Sequence, residues 1–189
     1  ATRRAPRFLT SDQVDELADL VPHRYRGLIY VLAYGGLRWA EAVGLKLESV
    51  NLLRRRIVVS ETLSEVKGRL HPVPPKTWES RTIAIPPFVA DVLGEHIGRF
   101  TGDTEDGLLF VTDNDTPLRS SNFRRWVWKP AVAELSESML GQEGRRPDLL
   151  DLHPARLSHL DHRIHFWFAD LSLARPGYGR GQHRNLVAA

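Results

Sequence analysis

Apolar positions in the first third of the chain repeat at helical spacing. Val14, Leu17, Ala18, Leu20 and Val21 make one face of a helix that Thr10-Ser11-Asp12-Gln13 opens as a capping box and Pro22 punctuates. His23 to Tyr34 reads as a second, more apolar helix with Leu28, Ile29, Val31 and Leu32 in the core, and Gly35-Gly36 ends it. A short helix is expected over Leu37 to Leu45. The period then changes. β-branched Ile57, Val58 and Val59 mark Arg56 to Ser60 as a strand, Val66-Lys67-Gly68-Arg69 as a hairpin turn, and Leu70 to Val73 as a second strand. After a loop from Pro74 to Ser80, Arg81-Thr82-Ile83-Ala84-Ile85 alternates as a third. Helical pattern returns at Pro86-Pro87 and runs to Phe100, proline being favoured in a first turn. A loop over Gly102 to Gly107 and a short apolar stretch, Leu108 to Thr112, precede a helix from Ser120 to Leu135, with Phe123, Val127, Trp128, Ala131 and Leu135 on one face. Gly141 to Pro147 reads as a flexible link, and Leu149 to Phe168 as partly helical. The pattern predicts a mainly helical α+β fold, helices surrounding a small three-stranded antiparallel sheet. Residues 1–8 read as a linker, 9–170 as one domain, and 171–189 as a tail without a period, expected to be disordered.

Composition narrows the chemistry. With 189 residues, the chain is long enough to bury a core without staples. It contains no cysteine, which excludes a disulfide framework, a thiolate metal site and a cysteine nucleophile, and fits a reducing, cytoplasmic setting. No apolar run reaches the ~18 residues that a membrane helix requires, and no signal-type apolar core follows the basic start. The first residue is alanine, so the chain is expected to be a piece of a longer protein. The formal net charge of +3 is ordinary for a soluble protein. Its distribution is less so: arginines far outnumber lysines and cluster at Arg3-Arg4, Arg54-Arg55-Arg56, Arg124-Arg125 and Arg145-Arg146. Guanidinium groups suit bidentate phosphate contact, which favours a phosphate-rich partner.

Three segments carry candidate chemistry. In Tyr34-Gly35-Gly36-Leu37-Arg38-Trp39-Ala40-Glu41, the glycines allow a tight turn that presents Arg38 at a helix start, and Glu41 lies three residues on, where it can orient the guanidinium. In Pro75-Lys76-Thr77-Trp78-Glu79-Ser80-Arg81, Lys76 sits on a loop ahead of a strand. In Asp151-Leu152-His153-Pro154-Ala155-Arg156, the spacing of His153 and Arg156 puts both on one helix face.

Taken in order, these segments resemble the catalytic domain of tyrosine recombinases, the phage integrase family. Gly36-Leu37-Arg38-x-x-Glu41-x-x-x-Leu45 is similar to the family's first arginine box, Pro75-Lys76-Thr77 to the hairpin that presents its lysine, and His153-x-x-Arg156 to its second box. Gly107-Leu108-Leu109-Phe110-Val111 and Ser120 to Trp126 resemble the intervening segment, so the likeness spans residues 8–156. It implies site-specific DNA recombination or integration by transesterification through a phosphotyrosyl intermediate, without metal or cofactor. Arg38 and Arg156 would clamp the phosphate, Lys76 would protonate the leaving 5′ oxygen, and His153 would serve as hydrogen-bond donor or proton carrier. Arg81, Arg124 and Arg125 are candidate DNA contacts. The implied partners are double-stranded DNA carrying a recombination site and further copies of the same chain assembled on it. The family's N-terminal DNA-clamping domain is not in this sequence, so weak binding is expected of it.

The pattern breaks after Arg156. The family places its tyrosine nucleophile about thirty residues beyond that arginine, where this chain has Val187-Ala188-Ala189. Tyr178, between two glycines, is the only downstream tyrosine and stands early; His183 does not fall at the family's second histidine position. From Leu152 to the end there is no glutamate or lysine, but there are five histidines and five arginines. The expectation is a lost reading frame just after the box and an impaired enzyme, with a non-catalytic DNA-binding or regulatory remnant as the alternative. His159, His162 and His165 do not make a metal site, because at about 3.6 residues per turn the third leaves the common face.

Overall fold

The computed structural model describes residues 9–74, 80–101 and 107–143, with side chains to residue 140. Helix α1 (Ser11–Leu20) starts with the expected capping box: the Gln13 amide donates to Thr10 Oγ1 and the Thr10 amide to Gln13 Oε1. It buries Val14, Leu17 and Ala18 against α2 (His23–Tyr34). Helix α2 is apolar nearly all round, and its burial from Leu28 to Ala33 makes it the central element, a helix of this kind being stable only inside a core. Helix α4 (Pro87–Phe100) packs on α2, and α6 (Lys129–Glu143) packs on α1. The short α3 (Trp39–Val43) follows α2 in the chain and packs on it.

The sheet is antiparallel and three-stranded, but one member differs from expectation. Its order is β1-β2-β5, formed by Val50–Asn51, Arg56–Val59 and Arg81–Ala84, with Ile57 opposite both Val50 and Ile83. Ile57 and Val59 point into the core while Arg56 and Val58 point out. The expected strand at Leu70 to Val73 belongs instead to a separate hairpin, β3 (Thr62–Val66) with β4 (Arg69–Val73). Pro72 explains why: it has no N–H to donate to a ladder, and strands containing proline are confined to edges. The turn is where the sequence places it, with Lys67 at φ 49° and Gly68 at φ 76°, as a tight hairpin turn requires.

The helix expected from Ser120 has an irregular middle. Four residues of α-helix, α5 (Ser120–Phe123), lead into a π-turn over Arg124–Trp128 before α6 begins. The wider turn lets Phe123 and Trp128, five positions apart, both bury. Helix α6 runs through Gly141 to Glu143, beyond the expected start of a link there; a glycine near a helix end costs only about 1 kcal/mol. Among the described residues, no helix is long and apolar enough to cross a membrane.

Candidate functional site

Arg38 owes its position to the turn before it. The Gly35 amide caps α2 through the Val31 carbonyl, and a Cβ on Gly35 would lie 2.6 Å from that oxygen. Gly36 adopts φ 62°, a left-handed conformation that favours glycine. Leu37 then anchors in the core, and Arg38, in extended conformation, becomes the residue ahead of α3 with its side chain 68% exposed.

Glu41 is the centre of the arrangement. It is only 2% exposed, yet its carboxylate is fully engaged. One oxygen accepts the Arg38 backbone N–H at 2.8 Å and the other accepts Arg38 Nη1 at 3.1 Å. Arg81 closes the set with a forked pair, Nη1 to Oε1 at 3.0 Å and Nη2 to Oε2 at 2.7 Å. Burial pushes the Glu41 carboxyl up, but the Arg81 fork, the Arg38 amide and the two guanidinium charges outweigh it and hold the group below the usual carboxylate range. The bond to Glu41 in turn pushes Arg81 up against its burial. Arg81 reaches Glu41 from β5, where it pairs with Val59 of β2, across forty positions of sequence. The two arginines therefore differ: both Nη groups of Arg81 face Glu41, whereas Arg38 is tied at one Nη and opens to solvent.

Arg124 and Arg125 are on the π-turn. Arg125 stacks on Trp126 with its guanidinium carbon 4.7 Å from the ring centroid. Trp126 is 68% exposed and was not singled out from the sequence. The signal was there, because the face through Phe123, Val127 and Trp128 leaves Trp126 outside. Trp126 borders a groove of about 720 Å³ between β4 and α5. Trp39, next to Arg38, packs on Phe123 in the groove wall with ring centroids 4.8 Å apart.

Lys76, His153, Arg156, Tyr178 and His183 lie outside the described residues, as do His159, His162 and His165. The other three tyrosines of the chain all sit on α2. Tyr25 and Tyr30 are buried, Tyr30 donates to Asp15 Oδ1 at 2.7 Å, and burial pushes the phenols of Tyr30 and Tyr34 up to about 12. Packed and hard to ionise, they are unsuited to act as nucleophiles. Among the described residues no group of three or more acidic or histidine side chains is placed to hold a metal ion.

The family model described as "Phage integrase family" matches residues 7–156. The chain belongs to the phage integrase family. Solved structures carry the same fold. The Tn1549 transposon integrase in complex with a circular intermediate DNA matches at a TM-score of 0.65 and 19% identity, over 84% of this chain and 52% of that one. XerA recombinase matches at 0.58 and 19% identity, over 86% and 52%. XerH, bound to a palindromic difH substrate in a post-cleavage complex, matches at 0.51 and 18% identity, over 92% and 46%. This integrase-family chain thus spans about half the length of the structures it resembles. Comparison with curated proteins returned no match.

Proposed function

We propose that the chain is the catalytic domain of a site-specific DNA recombinase, acting on double-stranded DNA by transesterification and impaired for want of a correctly placed tyrosine. The observation that carries this reading is Arg38: a guanidinium oriented by a buried carboxylate, yet open to solvent. A preorganised cation of this kind stabilises charge on a phosphate without having to reorganise during the reaction. In the proposed reaction a tyrosine oxygen attacks phosphorus and the bond from phosphorus to the 5′ oxygen breaks. Lys76 gives its proton to that oxygen, and His153 takes the phenolic proton. Arg38 and Arg156 hold the non-bridging oxygens, and the family match spans all four of these positions. The step reverses when a 5′ hydroxyl of another duplex attacks the phosphotyrosyl ester, so no energy source is required.

Arg124 and Arg125, exposed on the π-turn, are proposed as contacts to the DNA backbone. Arg81 acts through Glu41, holding the carboxylate that orients Arg38. Residues 1–8 are proposed as a linker, 9–170 as the catalytic domain, and 171–189 as a tail outside it. Copies of the chain are proposed to associate on DNA.

A second reading, a domain that holds DNA without cutting it, is favoured by one observation. Three of the four tyrosines are packed on α2, and the fourth, Tyr178, stands early for the family's nucleophile. A nicked suicide substrate separates the two. A covalent protein–DNA adduct lost in Tyr178→Phe would establish cutting by this chain; DNA binding with no adduct would establish the second reading; absence of both would overturn the whole proposal.

A further inference from the structure

Trp126 stands in solvent because the π-turn carries Phe123 and Trp128 inward and leaves it out. Arg125 lies over its ring. Beside it runs the groove of about 720 Å³, within the roughly 300–1,000 Å³ of clefts that take small organic groups. Arg69 and His71 of β4 line one side, and Arg119, Asn122, Phe123 and Trp126 line the other. Among the described residues no aspartate or glutamate lines it. Glu65, opposite Leu70 in the hairpin, and Asp113, next to Thr112, adjoin the lining, and both are taken. Glu65 accepts from Arg119 Nη1 at 2.6 Å, and Asp113 pairs with Arg24 at 2.8 Å. The same Arg119 Nη1 donates to the Gly68 carbonyl at 2.8 Å, which joins the two sides. Arg69, by contrast, is exposed and has no side-chain partner among the described residues. The groove therefore sets an uncompensated cation near an exposed aromatic face. A phosphate carries the charge that meets such a guanidinium, and a nucleobase carries the flat face that stacks on an indole.

We propose that this groove takes single-stranded DNA, with one base stacked on Trp126 and an adjoining phosphate on Arg69. A base paired within a duplex has both faces covered by its neighbours, so it meets an aromatic side chain only after leaving the stack. The bases of an unpaired strand are free to do so, and any of them suits, since each has a π-face. Asn122 and His71 add donors and acceptors for base edges. An acidic peptide would meet the same arginine, but a flat exposed indole offers a stacking face rather than a socket for a branched side chain. The proposal rests on the reading above for nucleic acid as the partner, and goes beyond it in the form of DNA bound.

The test is fluorescence anisotropy of a dye-labelled oligothymidylate of about twelve nucleotides, a length that single-strand sites cover, and of a labelled duplex in parallel. Both are titrated with the whole chain as wild type, Trp126→Ala, Trp126→Phe and Arg69→Ala. Trp126→Ala should bind the oligothymidylate at least about fivefold more weakly, as loss of one stacked base implies, while its duplex affinity stays unchanged. Trp126→Phe keeps a ring and should lose less. Arg69→Ala should flatten the slope of log affinity against log salt by about 0.7, the share of one phosphate on a single strand. Absence of oligothymidylate binding, or equal binding by wild type and Trp126→Ala, would overturn the site. An equal loss on duplex and oligothymidylate in Trp126→Ala would overturn its single-strand character. Displacement of the oligothymidylate by a glutamate-rich peptide at lower concentration than by unlabelled oligothymidylate would make the groove a protein-docking site and overturn the proposal. If circular dichroism shows that Trp126→Ala does not fold, the other two variants decide: unchanged affinity in Trp126→Phe together with an unchanged slope in Arg69→Ala overturns the site. Duplex binding without oligothymidylate binding would sink the groove and leave the function proposed above standing. Trp126-dependent oligothymidylate binding without duplex binding would do the reverse.

Discussion

Two glutamates in this protein do the same job with different means. Glu41 and Glu65 each take an arginine that is distant in sequence. Glu41 is 2% exposed and holds Arg38 and Arg81 through four hydrogen bonds. Glu65 is 39% exposed and holds Arg119 through one. Burial sets what each is worth. A buried carboxylate has no water to turn to, so removing its partners or its charge leaves groups unsatisfied. An exposed pair exchanges its partner for solvent at little cost. One region is therefore built to be rigid, the other to be held in place yet releasable.

The largest effect should come from Glu41→Gln. The neutral amide cannot accept both Arg81 donors and the Arg38 amide as a carboxylate does, and roughly 2–3 kcal/mol of stability should be lost, measured by urea denaturation. The cost stays at the lower end for a buried pair because Arg81 is 39% exposed and regains some water. Gly44→Ala comes next. Its new methyl would meet the backbone of β3 at the hairpin base, and overpacking of this type costs about 1–3 kcal/mol. The smallest effect on global stability belongs to Glu65→Gln, expected within about 1 kcal/mol of wild type. A loss there as large as for Glu41→Gln would dissolve the contrast between the two anchors.

Acid should remove stability in two steps. His96 is buried in α4, donates from Nε2 to the Leu109 carbonyl at 2.8 Å, and has an Nδ1 with no partner among the described residues. Burial pushes its pKa down, opposed by the bond to Leu109 and reinforced by Arg24 and His23. The unfolded chain thus takes up this proton first, and stability falls as pH drops below the ordinary value of 6.5 towards the folded one. Glu41, whose folded pKa is lowered, contributes stability that is present above its ordinary value of 4.5 and lost as pH falls through the folded value. A series of denaturation curves from pH 8 to 3 should show the upper step missing in His96→Phe and the lower one missing in Glu41→Gln. A single step unaffected by either change would contradict both assignments.

The sequence made local order legible and left distant pairing obscure. Helices α1, α2 and α4 were readable because caps, proline punctuation and apolar spacing all act within a few residues. Arg38 and Glu41 were readable as a pair for the same reason. Strand β1 has two residues and shows no alternation, and β3 (Thr-Leu-Ser-Glu-Val) has too little burial to mark a face. Arg81 on Glu41 and Arg119 on Glu65 depend on strand register and hairpin placement across forty or more residues. Arg81 was expected as a DNA contact. Its fork on Glu41 became visible only with the register of β2 and β5.

The two arginines of Glu41 differ in what they leave open to a ligand, and the salt dependence of duplex-DNA affinity tests that difference. Each neutralised phosphate contributes about 0.9 to the slope of log affinity against log salt. Arg38→Ala should flatten that slope by about one contact with folding stability nearly unchanged, while Arg81→Ala should lower stability and leave the slope as it is. An unchanged slope in Arg38→Ala, or a flattened one in Arg81→Ala alone, would contradict the assignment of Arg38 as the arginine that meets phosphate.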